Sequence, residues 1–125
     1  IVEIKSHRQL TEGFTPEIRA AWAQCRQEQT DAVLATIVSR HGSMPREVGT
    51  KMLILPDGST AGSVGGGIME YRARQLAEKM LAGTEAPQQL ASFTTGLEDD
   101  EKALAACGGS MELFLQVLAG GTAAK

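Results

Sequence analysis

Residues 50–81 read TKMLILPDGSTAGSVGGGIMEYRARQLAEKML, a pattern of hairpin, glycine turn and helix. Thr50 to Leu55 and Thr60 to Val64 flank Pro56-Asp57-Gly58-Ser59. Pro and Asp suit the helical-type positions of a tight turn, and Gly58 supplies positive φ. Gly65-Gly66-Gly67 then leads into Ile68 to Leu81, where Ile68, Tyr71, Leu76, Met80 and Leu81 partly fit an amphipathic helix that closes near Gly83.

Outward from this stretch, Thr15-Pro16-Glu17 is a helix start: Thr caps free N–H groups, Pro tolerates the first helical position and Glu favours the positive end of the dipole. The helix runs to about Gln27, with Ile18, Ala21, Trp22 and Cys25 on one buried stripe, so Cys25 is a core residue. Ala32 to Val38, AVLATIV, is a strand covered on both faces. It leads to a loop, Arg40-His41-Gly42-Ser43-Met44-Pro45-Arg46. Leu90 to Thr95 reads as a strand, Glu98 to Ala106 as a loop or short helix, Met111 to Leu118 as a final strand, and Gly120 onward as a frayed tail. This order predicts an α/β protein of the α+β kind: a mixed β-sheet with a β-hairpin and helices packed on it, not a complete doubly wound dinucleotide fold. There is no internal repeat or linker, so residues 1–125 read as a single domain.

Composition agrees. In 125 residues, 42% are hydrophobic and 22% charged, which is enough apolar material for a core. A net charge of -3 gives no global positive field, and the few aromatics offer no base-stacking platform, so nucleic acid is not an expected partner. No apolar run approaches the roughly 20 residues of a membrane span, so no membrane partner is expected either. Two distant cysteines, Cys25 and Cys107, and no signal-type segment point to a reducing cytoplasm. Ile1 in place of Met implies a few residues before it.

Chemistry gathers at the loops. Glycines between a strand and a helix let a backbone approach an anion, and the helix start offers unpaired N–H groups. The same glycines also suit a plain tight turn, since residues 62–67 match neither the Walker nor the dinucleotide pattern. Glu70 either caps the helix, accepts hydrogen bonds from a heterocyclic amine, or fixes an arginine. Arg46 and Lys51 can hold a phosphate or carboxylate, or stand as solvated charges. Cys107, followed by Gly108 and Gly109, is either a small buried residue or a thiol open to a ligand or metal. His41 and Ser43, two residues apart in one loop, do not make a triad.

At these same loops the sequence resembles the xanthine dehydrogenase accessory family, XdhC/CoxI, in its N-terminal domain. The match runs through GSMPREVGTKMLILPDGSTAGSVGGGIMEYRA, residues 42–73, and resumes at CGGSMELFL, residues 107–115. Gly-Ser-x-Pro-Arg, Gly-x-Lys-Met, Pro-Asp-Gly, Gly-Gly-Gly-x-x-Glu and Cys-Gly-Gly in this order are far more specific than any single glycine motif. The resemblance implies an accessory protein that transiently binds molybdenum cofactor in its molybdopterin form, protects it during sulfuration and delivers it to a molybdenum hydroxylase such as xanthine or carbon monoxide dehydrogenase. It implies cofactor binding by Ser43, Pro45, Arg46, Lys51, Gly65, Gly66, Gly67, Glu70, Cys107, Gly108 and Gly109, with Cys107 near molybdenum. Expected partners are the client hydroxylase, a cysteine desulfurase and a second copy of the chain. Two departures stand out: Ile68 replaces the cysteine that many relatives place after the triple glycine, and the dinucleotide-type C-terminal domain of many relatives is absent from residues 1–125. The rival readings are a small oxidoreductase or transferase using Cys107 as nucleophile with His41 as base, and a docking domain that binds no cofactor.

Overall fold

The structure is a computed structural model that describes residues 13–42, 47–65, 67–94 and 110–120. Helix α1, Pro16–Glu28, starts where the Thr15 side chain accepts a hydrogen bond from the Ile18 amide, with Pro16 in the first turn. It stops at Gln29, whose left-handed φ of 58° lets its amide reach the Arg26 carbonyl. Ile18, Trp22 and Cys25 form the buried stripe expected of them.

Among the described residues five strands follow in one sheet: β1, Ala32–His41; β2, Lys51–Ile54; β3, Thr60–Gly62; β4, Gln88–Thr94; and β5, Ser110–Leu118. Helix α2, Gly67–Leu81, lies between β3 and β4 in the chain and closes at Gly83, with φ 83°. The spatial order is β3-β2-β1-β5-β4. The α+β class, the hairpin and the helices on the sheet are as the sequence predicts. Strand direction differs from the expected mixed sheet, because all four pairings are antiparallel. The crossover through α2 does join two strands that run the same way. It joins opposite edges of the sheet, however, so three strands separate β3 from β4 and no parallel pair arises.

β1 is the central strand and, as expected from AVLATIV, is buried on both faces over most of its length. On one face Val33, Ala35, Ile37, Met52, Ile54, Leu113 and Leu115 pack against Met69, Ala73, Ala77 and Met80 of α2. On the other, Ala32, Leu34, Leu53, Ala61 and Leu118 pack with Phe14, Ile18, Trp22 and Cys25.

Three details depart from the sequence reading. β1 continues past Val38 to His41, because a bulge between Ile37 and Ser39 keeps it paired with β5 as far as Ser110. Ile68 and Tyr71 of α2 are 39% and 49% exposed, and the buried stripe is Met69, Ala73, Ala77 and Met80. Gly120 is not frayed: it is buried, its amide donates to the Asp31 carboxylate at 3.1 Å, and a Cβ there would lie 1.9 Å from the Thr30 carbonyl oxygen. The expected segment Glu98–Ala106 and the tail beyond Gly120 lie outside the described residues.

Candidate functional site

Antiparallel pairing gives the sheet two distinct ends. The turn end carries the start of β1, the Pro56–Ser59 turn and the end of β5. The loop end carries His41, Lys51, Gly62, Thr94 and Ser110, and so the described neighbours of the motifs singled out in the sequence, apart from Pro56-Asp57-Gly58, which turns the other end. Gly42 and Glu47 flank residues 43–46, and Ser110 follows residues 107–109. Ser43, Pro45, Arg46, Gly66, Cys107, Gly108 and Gly109 themselves lie outside the described residues.

The glycine turn is fastened by its own side chains. The Ser63 hydroxyl donates to Glu70 Oε2, the Val64 amide donates to the same oxygen at 3.1 Å, and the Gly65 amide donates to Ser63 Oγ at 3.1 Å. Glu70, in the first turn of α2, thus reaches back across the glycines and holds the end of β3 to the helix start. A carboxylate serves because it accepts without needing to donate, so one oxygen takes both hydrogen bonds. Sequence reasoning offered Glu70 a cap, a heterocycle or an arginine; its hydrogen bonds to Ser63 and Val64 are of the capping kind and leave the other two roles open. Ser63 had no assigned role, although its place two residues before the triple glycine and seven before Glu70 was the available signal.

Two glycines here are required by geometry. Gly62 has φ 81°, and a Cβ would meet the Lys51 carbonyl oxygen at 2.8 Å and Ile18 Cδ1 at 3.0 Å. Gly67 has φ 64° and nothing within 4 Å of a would-be Cβ, so the helix start is open on that side.

Lys51 lies on the other face. It is two residues before Leu53, which packs on the α1 side, so its side chain points toward α1 while the glycine turn leads to α2. Its ammonium donates to the Thr36 hydroxyl at 3.4 Å, and among the described residues no carboxylate pairs with it. Partial burial lowers its pKa below the ordinary value of 10.5. It borders an open groove of about 740 Å³ with Gly13, Thr15, Glu17, Thr50 and Ser63. Ser63 is therefore the link between this groove and the glycine turn.

The remaining candidates separate. His41 is exposed at the end of β1, opposite Ser110. Arg40 forms an exposed ion pair with Glu47 at 3.1 Å. Cys25 is 3% exposed, and desolvation raises its thiol pKa, as befits a core residue. Among the described residues no three His, Cys, Asp or Glu side chains form a metal cluster, and no helix is long and apolar enough to cross a membrane. Two further depressions, of about 200 and 550 Å³, lie at the turn end on either side of Pro56 and Asp57. Neither contains a residue singled out for ligand chemistry.

Residues 25–93, more than half of the chain and including the hairpin, Lys51 and the fastened glycine turn, match the XdhC and CoxI family. The chain belongs to that family. This XdhC/CoxI chain is 30% identical over 95 residues to the protein YqeB of Escherichia coli (strain K12), a match spanning 76% of the chain and 17% of YqeB. The fold is shared with a xanthine dehydrogenase from Bacillus halodurans, at a TM-score of 0.58 and 22% identity, over 78% of this chain and 29% of that one. The XdhC/CoxI chain thus spans less than a third of the length of either protein.

Anion-binding chemistry fits the described residues: Lys51 is a partly desolvated cation without a carboxylate partner, and Gly67 leaves the start of α2 open. Glu17 also borders the groove, so an anion there must sit nearer Lys51 and Thr50.

Proposed function

We propose that this chain acts as an XdhC/CoxI N-terminal-type domain that assists maturation of a molybdenum hydroxylase, binding molybdenum cofactor transiently for sulfuration and delivery. The observation that carries this reading is the family match over residues 25–93, which includes Lys51, the glycine turn and Glu70. The flanks of every matching motif except Pro56-Asp57-Gly58 lie at the loop end of one sheet, which supports a common site there.

Roles follow from what each group can do. Lys51 and the start of α2, open beside Gly67, are suited to the phosphate, with Arg46 as a second cation able to fork onto it. Because Lys51 and the glycine turn lie on opposite faces, a ligand reaching both passes over Ser63 at the edge. Glu70 acts as a positioning residue: it holds Ser63 and the Val64 amide, and so sets the shape of the glycine turn. Cys107 is the soft donor of the set, proposed to stand near the metal. The cofactor, when bound, supplies a phosphate, a hydrogen-bonding pterin and a sulfur-held molybdenum. The client hydroxylase and a cysteine desulfurase are the proposed partners, in the cytoplasm.

Anaerobic titration of the purified chain with molybdenum cofactor tests the proposal, reading bound molybdenum and pterin together. Stoichiometric binding that weakens in Lys51→Ala, Arg46→Ala or Cys107→Ala is the expected result. A folded wild-type chain that retains neither molybdenum nor pterin overturns it.

A further inference from the structure

The two edges of the sheet differ in a way that bears on association. The β3 edge is short, Thr60–Gly62, and ends in the fastened glycine turn. The β4 edge, Gln88–Thr94, reads QQLASFT: it has no charge, no proline and no glycine, and its register with β5 is unbroken. Charges, prolines and bulges are the usual means by which an edge strand is kept from pairing with another strand, and β4 has none of them.

The hydrogen-bond phase of β4 identifies its outward groups. The Val117 amide donates to the Pro87 carbonyl at 2.9 Å, so Pro87 faces β5. Antiparallel alternation then turns the amides and carbonyls of Gln89, Ala91 and Phe93 inward to β5. Those of Gln88, Leu90 and Ser92 point away from it, and no described residue pairs with them.

Side chains reinforce this backbone symmetry. Leu90 is 60% exposed and stands opposite the half-buried Phe114 of β5, on the face away from α2. Phe93, on the α2 face, is already buried. An uncharged strand can face its own copy without opposing like charges, which is a requirement of any isologous contact.

We propose that β4 pairs with β4 of a second copy of this chain, antiparallel about a two-fold axis at Leu90. In that register Leu90 exchanges both backbone hydrogen bonds with its counterpart, and Gln88 of each copy does so with Ser92 of the other. The outward groups of Gln88, Leu90 and Ser92 are all used, and the two sheets become one continuous sheet. On its open face the row Phe114, Leu90, Leu90, Phe114 forms an apolar stripe across the junction. Both copies of α2 lie on the opposite face, because a two-fold axis normal to the sheet preserves its sides. This association goes beyond the cofactor role and stands independently of it.

Sedimentation velocity across a concentration series, with wild type, Leu90→Lys and Ser92→Pro, tests the pairing. Leu90→Lys places two ammonium groups at the axis, and Ser92→Pro removes an amide that the single chain leaves unused. Neither touches the core, and circular dichroism with a melting curve checks that both variants fold. The expected result is a wild-type dimer whose dissociation constant rises at least about 100-fold in each variant. A wild type that stays monomeric overturns the proposal. So does a dimer that persists unchanged in both folded variants, which would place the contact elsewhere, and so does a complex formed only with a different protein.

Discussion

The two helices cover opposite faces of one sheet by different means. α1 is capped at both ends by local chemistry and buries large side chains, Ile18 and Trp22, above β2 and β3. α2 approaches the sheet through Ala73 and Ala77, with methionines at either end of the stripe, and is fastened at its start by Glu70. A helix that fills space with bulk announces itself through hydrophobicity. A helix that gains contact by coming close does so with small residues, which ordinary hydrophobic patterning undervalues.

The comparison can be broken most forcefully at Trp22, which is 1% exposed. Trp22→Ala should cost about 3–5 kcal/mol by urea denaturation, since it empties the largest volume under α1. Among the described residues the buried indole Nε1 has no hydrogen-bond partner. Trp22→Phe therefore gives up no hydrogen bond and should cost well under half as much as Trp22→Ala. If the two variants were equally damaging, bulk would not be what holds α1.

On α2 the corresponding test adds volume. Ala77 is fully buried, and Ala77→Leu should cost about 1–3 kcal/mol through overpacking, although leucine is nearly as good a helix former as alanine. An unchanged midpoint would mean that α2 does not depend on close approach.

Next comes the latch. Glu70→Ala leaves the Ser63 hydroxyl and Val64 amide without their acceptor and should cost about 1–3 kcal/mol, with Glu70→Gln milder because it keeps an acceptor oxygen. Faster amide hydrogen exchange at Val64 in Glu70→Ala, without equal change at Ile18, would localise the effect to the start of α2.

The smallest stability effect should come from Lys51→Met, on the α1 side. Burial lowers the Lys51 pKa, so the folded state disfavours the charged form. In the window between that lowered value and 10.5, the unfolded chain binds more protons, and stability rises with pH until the penalty is gone. Lys51→Met should therefore leave neutral-pH stability unchanged or slightly higher, and remove that part of the alkaline rise, as read by melting temperature against pH. A clear loss at pH 7 would instead make the Thr36 contact structural.

Much of the fold was legible because its signals are local. Thr15-Pro16 starts α1, Pro56–Ser59 turns the hairpin, and the unbroken apolar run at Ala32 marks the central strand. Strand direction was not legible, because it depends on which edge α2 crosses to, a matter of global topology rather than local pattern. The extension of β1 to His41 was hidden for a similar reason: Ser39 and Arg40 look like loop residues until β5 pairs with them. At the site, the motifs were readable as loop motifs, while the gathering of most of them at one end of the sheet needed the strand pairing. The placement of Lys51 and the glycine turn on opposite faces required the register, and the Ser63–Glu70 latch required three dimensions.

The interior position of β5, between β1 and β4, also shapes how the chain can be made. Ser39 and Glu112 hydrogen-bond across a separation of 73 residues, and β5 is the last of the five strands to leave the ribosome. Until it emerges, the β1–β3 unit has an unfilled side at β1, and β4 has no neighbour at all. The first and last strands must therefore find each other before β4 can join the sheet, so folding is dominated by one long-range encounter and belongs at the slow end for a chain of this size.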